Sequence, residues 1–298
     1  MPRFYRKSRK SPRERVLDSA SMADELRVRL AESHADFDAC VQLQRAVWGL
    51  DDLEINSTVQ FIASTYAGGL VHVAETADGA IVGFAYAFPA LQGGVTRLHS
   101  DMLAVLGEHQ QRGVGVRLKW AQRAAALERG VGVITWTYDP LQARNANLNL
   151  RRLGAVATEF LENFYGITSS PLHFGLPTDR LAVRWELESP RVQALSAGGE
   201  LPSTVVPPDL ARINEVKWQA GWPVSSEPDL GRDDAELLLE IPPEWDVLSR
   251  SGPRVAQDWH GKVRRALSHY LSRGYVAADF APTEERGRRR PLYVLRRR

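Results

Sequence analysis

The spacing of apolar positions changes several times along the chain, and each change marks an element. Leu26-Arg-Val-Arg-Leu30 alternates apolar and charged residues, the pattern of a strand with one buried face. Between His34 and Trp48 the apolar residues Phe37, Cys40, Val41, Val47 and Trp48 recur near helical spacing, and Gly49 supplies a stop. A second helix is expected over Ser57–Tyr66. Three strands follow at Leu70–Thr76, Ala80–Phe88 and Thr96–Val105, the first two joined by an Ala77-Asp-Gly79 turn. Helix Gly115–Arg129 turns Leu118, Ala121, Ala125 and Leu127 inward and ends at Gly130. Val131–Thr137 is a short strand stopped by Asp139-Pro140. A helix over Ala143–Leu153 ends at Gly154, and strands at Ala155–Phe160 and Leu181–Leu187 complete the region.

The periodicity then fades. Pro, Gly and Ser become frequent, and the stretch reads as an irregular linker. Order returns with a strand at Leu237–Ile241 and a helix at Arg254–Ser272 that carries Val255, Trp259, Val263, Ala266, Leu267, Tyr270 and Leu271 on one face. Strands at Tyr275–Ala281 and Leu292–Leu295 finish the chain. The implied plan is a basic tail over 1–22, a main domain over 23–190, a linker over 191–235 and a βαββ unit over 236–298. That last unit is too small for a confident independent core, so it should pack on the main domain or extend its sheet.

Composition narrows the class. With 44% hydrophobic and 25% charged residues and a net charge of +2, the chain reads as an ordinary globular protein. No global field calls for nucleic acid or a membrane surface. The basic tail, with Arg3, Arg6, Lys7, Arg9, Lys10, Arg13 and Arg15, has no apolar stretch and reads as a solvated segment rather than a nucleic-acid arm or secretory signal. The single cysteine, Cys40, forbids an internal disulfide and sits on an apolar helix face, as an inert buried thiol would. A reducing, cytoplasmic location suits that usage. No metal-ligand spacing is present.

The candidate chemistry gathers around Leu98–Leu118. A strand runs into Gln110-Gln-Arg-Gly-Val-Gly115 and from there into the Ala-rich helix. Gly113 and Gly115 allow close backbone approach, and first-turn amides lack intrahelical acceptors. Together with the positive end of the helix dipole they suit a pyrophosphate. The lysine and Ser/Thr of a nucleotide-triphosphate loop are absent, as is the third glycine of a dinucleotide fingerprint.

This Gln-x-x-Gly-x-Gly pattern resembles the GNAT acetyltransferase superfamily, over about Leu26 to Leu187. The resemblance implies an α/β (α+β) GNAT acyltransferase fold, a mixed central sheet flanked by helices, with acyl-CoA as co-substrate, acetyl-CoA or succinyl-CoA. It also implies that Gln110, Gln111, Arg112, Gly113, Val114, Gly115, Val116 and Arg117 hold the pyrophosphate. Leu103 and Val105 would offer backbone groups to the pantetheine arm, with the Val105 amide facing the thioester oxygen. The run from Trp136 to Asn149, with Asn163-Phe-Tyr-Gly166, resembles a bacterial GNAT subgroup. Some of its members are associated with N-acylation of amino acids, succinylation included.

Acyl transfer also needs a base and an acid. His99 and Asp101, two apart on one strand, should face the same way, as should Leu103 and Val105. Counted back from Gln110, His99 falls where many relatives carry a catalytic glutamate. A tyrosine common among relatives is replaced by Leu150, so Tyr138 and Tyr165 are the candidate acids. Asp139, Arg144, Asn145 and Asn149 are candidate substrate ligands, with Arg144 suited to a carboxylate. The expected function is direct acyl transfer, in a ternary complex, to the amine of a small molecule such as an amino acid. The alternative is an acyl-CoA-binding sensor without chemistry. A homodimer is an open possibility.

Overall fold

The computed structural model describes residues 26–166, 175–201, 206–207 and 209–298. The basic tail expected over 1–22 lies outside the described residues. Strand β1 (Arg27–Leu30) leads to helices α1 (His34–Trp48) and α2 (Thr58–Tyr66). Strands β2 (Leu70–Glu75), β3 (Ile81–Gln92) and β4 (Val95–Val105) then form a meander, and α3 (Val114–Glu128) crosses to β5 (Val133–Tyr138). Helix α4 is α-helical over Ala143–Ala146 and widens to π-helical over Asn147–Arg152, with Ala146, Leu150 and Leu153 all fully buried. Strands β6 (Val156–Leu161) and β7 (Arg180–Glu186) follow.

Local rules explain the ends. Ser33 and Asp36 form a reciprocal capping box at the start of α1, and Gly49 at φ 61° closes it. Arg29 clamps the Asp36 carboxylate at 2.8 and 2.9 Å, which ties β1 to the helix and holds that carboxyl well below its usual range. Phe37, Cys40, Leu43 and Phe61 of α1 and α2 pack on Val71, Val73, Phe84 and Tyr86 of the sheet. On the other face Val114 and Leu118 of α3 meet Val82 and Ala85. Cys40 is fully buried, and loss of water pushes its thiol up to about 12, which leaves it no thiolate at neutral pH.

The segment read as a linker holds more structure than its composition suggests. It contains α5 (Pro190–Ser196), the two-residue strand β8 (Ala211–Arg212) and a hairpin of β9 (Val216–Gln219) and β10 (Trp222–Ser225). Next come β11 (Glu236–Glu240), α6 (Trp245–Ser251), α7 (Pro253–Ser272), β12 (Tyr275–Glu285) and β13 (Arg288–Arg297). Helix α6 is too short to show a period in the sequence.

One sheet runs through both parts of the chain. Its eleven strands lie in the order β1-β2-β3-β4-β5-β7-β6-β12-β13-β11-β8. The C-terminal unit therefore extends the sheet, joined where Ala157 of β6 pairs antiparallel with Ala277 of β12. The order is the same in both directions from that pair. Strands β6, β7 and β5 on one side match β12, β13 and β11 on the other, and each series then gains a parallel neighbour, β4 beside β5 and β8 beside β11. Each junction alanine is followed by a bulge, at Thr158 in β6 and Ala278 in β12. This is the topology of an internal repeat about an approximate two-fold axis between Ala157 and Ala277. A shared core covers the join, with Trp259, Val263, Leu267 and Tyr270 of α7 in one cluster with Trp185, Leu150 and Leu153. No helix among the described residues is long and apolar enough to cross a membrane.

Candidate active site

The site begins where two strands part. β4 and β5 pair in parallel at Leu98 with Ile134 and His99 with Thr135, and at no later residue. The register of β4 against β3 steps by one between Ser100 and Met102, so Asp101 is an extra, bulged residue. A bulge bends its strand and breaks pairing, which opens a cleft between the ends of β4 and β5.

The bulge also corrects the expected alternation. His99, Asp101, Leu103 and Val105 do not share a face. Asp101 reaches Asn56 beside α2, whereas Leu103 and Val105 pack toward α3 with Val114 and Leu118. The extra residue shifts every later side chain to the opposite face. The backbone expectation stands apart from this. The Leu106 amide donates to Val82 O of β3 at 2.9 Å, so by alternation the Val105 backbone groups turn toward the cleft. There the Gln110 side-chain amide donates to Val105 O at 2.9 Å.

At the start of α3 Gly113 has φ 81°, and no side chain caps the helix. An added Cβ at Gly113 would meet nothing within 4 Å, so the first-turn amides open onto free space. Gly115 has an ordinary φ, and its Cβ would lie 3.6 Å from Leu103. This uncapped, side-chain-free cradle fits a phosphate group on its own geometry. Gln111, also at positive φ (62°), and Arg112 are exposed beside it, and Val116 is half-buried. Arg117 is tied to Leu26 O.

The opposite face is polar. His99 Nδ1 lies 3.1 Å from Thr135 Oγ1, and its ring packs 5.3 Å from Phe88. Burial lowers the His99 pKa, which keeps the imidazole neutral at physiological pH, although Asp101 pulls the other way. Asp101 accepts from Asn56 Nδ2 at 3.3 Å, and the loss of water around it raises its carboxyl above the usual range. It forms one wall of a groove of about 440 Å³ between α2 and β3, lined also by Gln60, Ala63, Tyr86 and Phe88.

Tyr165 stands on a turn over this face, its hydroxyl 3.3 Å from Thr137 Oγ1. The Asn163 amide donates to Asp179 at 3.0 Å and the Tyr165 amide to Thr178 at 2.9 Å, which fixes the turn. Tyr138 points the other way. It is buried beside Tyr293, and enclosure raises its hydroxyl pKa, so it cannot reach a ligand in the cleft.

The four candidate substrate ligands are not brought together. Asp139 accepts from the Leu141 amide at 2.8 Å, and enclosure pushes its carboxyl up to about 6. Arg144 bridges Gln110 and Asp246, each at 3.2 Å, on the α3 side of the cleft. Asn145 is exposed, and Asn149 is buried in the π-helical stretch. Sequence reasoning missed Arg180, which opens β7 and donates to Thr137 Oγ1 and Thr137 O, both at 3.1 Å. It also missed Asp246, His260 and Arg264 from the C-terminal unit. The alternation of Thr135 and Thr137 along β5 was a usable signal, but nothing local marks the others. No group of three or more His, Cys, Asp or Glu that could hold a metal exists among the described residues.

No curated protein matches the chain. Among solved structures, yncA of Salmonella typhimurium, solved with its cofactor acetyl-CoA, is 20% identical, with 55% of this chain and 95% of that one covered at a TM-score of 0.46. The ribosomal-protein-S18-alanine N-acetyltransferase of Escherichia coli is 17% identical, covering 53% and 92% at a TM-score of 0.42. A GNAT family acetyltransferase from Elizabethkingia anophelis with acetyl-CoA bound is 16% identical, covering 55% and 99% at a TM-score of 0.42. Residues 37–155, which contain the parted strands and the α3 cradle, match the model of the acetyltransferase (GNAT) family. This stretch, 119 of the chain's 298 residues, is thus similar to the GNAT family of acetyltransferases.

Proposed function

We propose that the protein is an acyl-CoA-dependent N-acyltransferase acting on the amine of a small molecule, with amino acids as the acceptor class. The carrying observation is that the uncapped α3 cradle at Gly113 and the polar face at His99 and Asp101 lie on opposite sides of one cleft. Acyl-CoA supplies an activated thioester carbonyl, from acetyl-CoA or succinyl-CoA. Gly113 and the neighbouring amides hold its diphosphate, and the Val105 amide offers a donor at the strand end. The acceptor enters through the groove beside α2. His99, neutral and braced by Thr135, takes a proton from the incoming ammonium. Cys40 is buried and protonated, so attack on the acyl carbon is direct. Tyr165, rather than Tyr138, is the acid, since its hydroxyl faces the cleft beside Thr137.

The reading is tested by following thiol release from acetyl-CoA and succinyl-CoA with a panel of amino acids and simple amines, alongside thermal stabilisation by each acyl-CoA. Stabilisation with turnover supports it. Stabilisation without turnover of any amine would make the protein an acyl-CoA-binding sensor. Neither response would remove the cradle assignment as well.

A further inference from the structure

Arg180 has no ion-pair partner within 4.0 Å among the described residues, although it is half-buried and surrounded by chemistry. Several other half-buried arginines are paired with carboxylates, whereas Arg97 and Arg123 make only neutral hydrogen bonds. Arg29 is paired with Asp36 and Glu75, Arg191 with Asp279, Arg264 with Asp179 and Glu162, and Arg290 with Glu240. Arg180 instead spends Nε and Nη2 on the Thr137 hydroxyl and carbonyl. Its guanidinium carbon lies 5.3 Å from the Tyr165 ring, within cation–π range. Nη1 donates to nothing among the described residues. Asp101 and Asp139 are close enough to be felt electrostatically, yet neither is within pairing distance. A small cavity lies beside it, lined by Asp139, Thr178, Asp179, Trp245 and His260.

A guanidinium short of water and without a carboxylate is unfavourable unless a ligand completes it. Thr137 fixes its plane, which leaves Nη1 and the outer hydrogen of Nη2 as a ready two-pronged donor. The location restricts the ligand. Thr135, which touches His99, and Thr137, which holds Arg180, are two residues apart on β5 and so about 7 Å apart on one face. An amine at His99 and a carboxylate at Arg180, each with its own hydrogen bond, span about that distance when one or two carbons separate them.

We propose that Arg180 binds a carboxylate of one of the two reactants and is the specificity-determining residue of this site. This rests on the acyl-transfer reading above. The carboxylate comes either from an amino-acid acceptor or from a dicarboxylic acyl group such as succinyl, because both reactants meet beside Thr137. The C-terminal repeat positions the anchor. Arg264 of α7 holds Asp179, the residue before Arg180, through two bonds of 2.8 Å, and His260 lies 3.4 Å from the same carboxylate.

The test compares wild type, Arg180→Gln and Arg180→Lys with four reactant pairs. Acetyl-CoA and succinyl-CoA are each offered with an amino acid and with its decarboxylated amine. Equilibrium binding of each acceptor to CoA-saturated protein, and of each acyl-CoA to free protein, gives the same comparison without turnover. Acetyl-CoA affinity reports that each variant is folded. We expect wild type to prefer the carboxylate-bearing partner, in one arm or the other. Arg180→Gln should reduce that preference roughly 100-fold, mainly through KM, and Arg180→Lys should restore part of it. Arg264→Gln should weaken the same preference, and Arg264→Lys should recover it, which a merely structural role would not do. Equal handling of carboxylate-bearing and carboxylate-free partners in both arms, with acetyl-CoA still bound, overturns the role of Arg180 and leaves acyl transfer standing. Loss of acetyl-CoA binding in the wild type overturns both.

Discussion

Ala157 and Ala277 pair across the junction of β6 and β12 and make one sheet of two similar units. Both are fully buried, and their small side chains let α4 and α7 settle over the join. The C-terminal unit thus continues the sheet of the first unit. Cutting the chain after residue 232 would bare the backbone edge of β6 and the shared core around Trp185 and Leu150. We expect the remaining fragment to lose cooperative thermal unfolding and to aggregate. A soluble fragment with an unfolding transition as sharp as that of the whole chain would show the two units to be independent.

Gly113→Val tests the cradle in two ways. A β-branched residue in the left-handed region costs about 1–2 kcal/mol, and its side chain fills the open space above the first-turn amides. We expect thermal unfolding to fall slightly and acetyl-CoA affinity to fall at least tenfold. Gly113→Ala carries most of the strain with less bulk and should lie between. If calorimetry finds the affinity of both variants unchanged, the diphosphate is held elsewhere.

Elements with a strong period were legible from the chain alone. The alternation at β1, the apolar stripe and Gly49 of α1 and the glycine-marked start of α3 all rest on local rules that the tertiary structure respects. The faces of β4 were misjudged after Ser100, because a bulge leaves no mark in residue type and one extra residue at Asp101 reverses all that follow. Arg180 was invisible for another reason. Its significance depends on Thr137 of β5 and on Asp179, held from α7, which the fold brings together from distant parts of the chain. β8 and α6 were missed because two and seven residues are too few to display a period.

The identity of the base can be read from the pH dependence of kcat/KM. Burial lowers the His99 pKa from its ordinary 6.5, and Asp101 raises it in part. Activity should therefore rise through a limb centred below pH 6.5 and stay high above it. His99→Gln should remove the limb and lower the rate by about two orders of magnitude. Asp101→Asn removes the charge that supports the imidazolium, so the limb should move to still lower pH. If Asp101→Asn abolishes the limb while His99→Gln keeps it, Asp101 is the base.

Two enclosed groups should act oppositely on stability as pH falls. His72 of β2 is buried with its Nδ1 unpartnered, and loss of water, helped by the charges of Arg129 and Lys119, lowers its pKa to about 4. The unfolded chain then binds a proton that the folded chain refuses, so this contribution is present above about pH 6.5 and is lost toward pH 4. Asp139 is the reverse case. Its carboxyl is pushed up to about 6, so the folded chain takes the proton first, and its contribution is present at low pH and lost as pH rises through 6. Over pH 4–6 the two effects oppose each other. The pair is therefore seen only by removing one member. His72→Leu should gain stability over wild type as pH falls from 6.5 to 4. Asp139→Asn should be more stable than wild type above pH 6 and lose that advantage by pH 4. Urea unfolding at half-unit pH steps measures both differences. Variants that run parallel to wild type across this window would mean that neither group is enclosed as the fold places it.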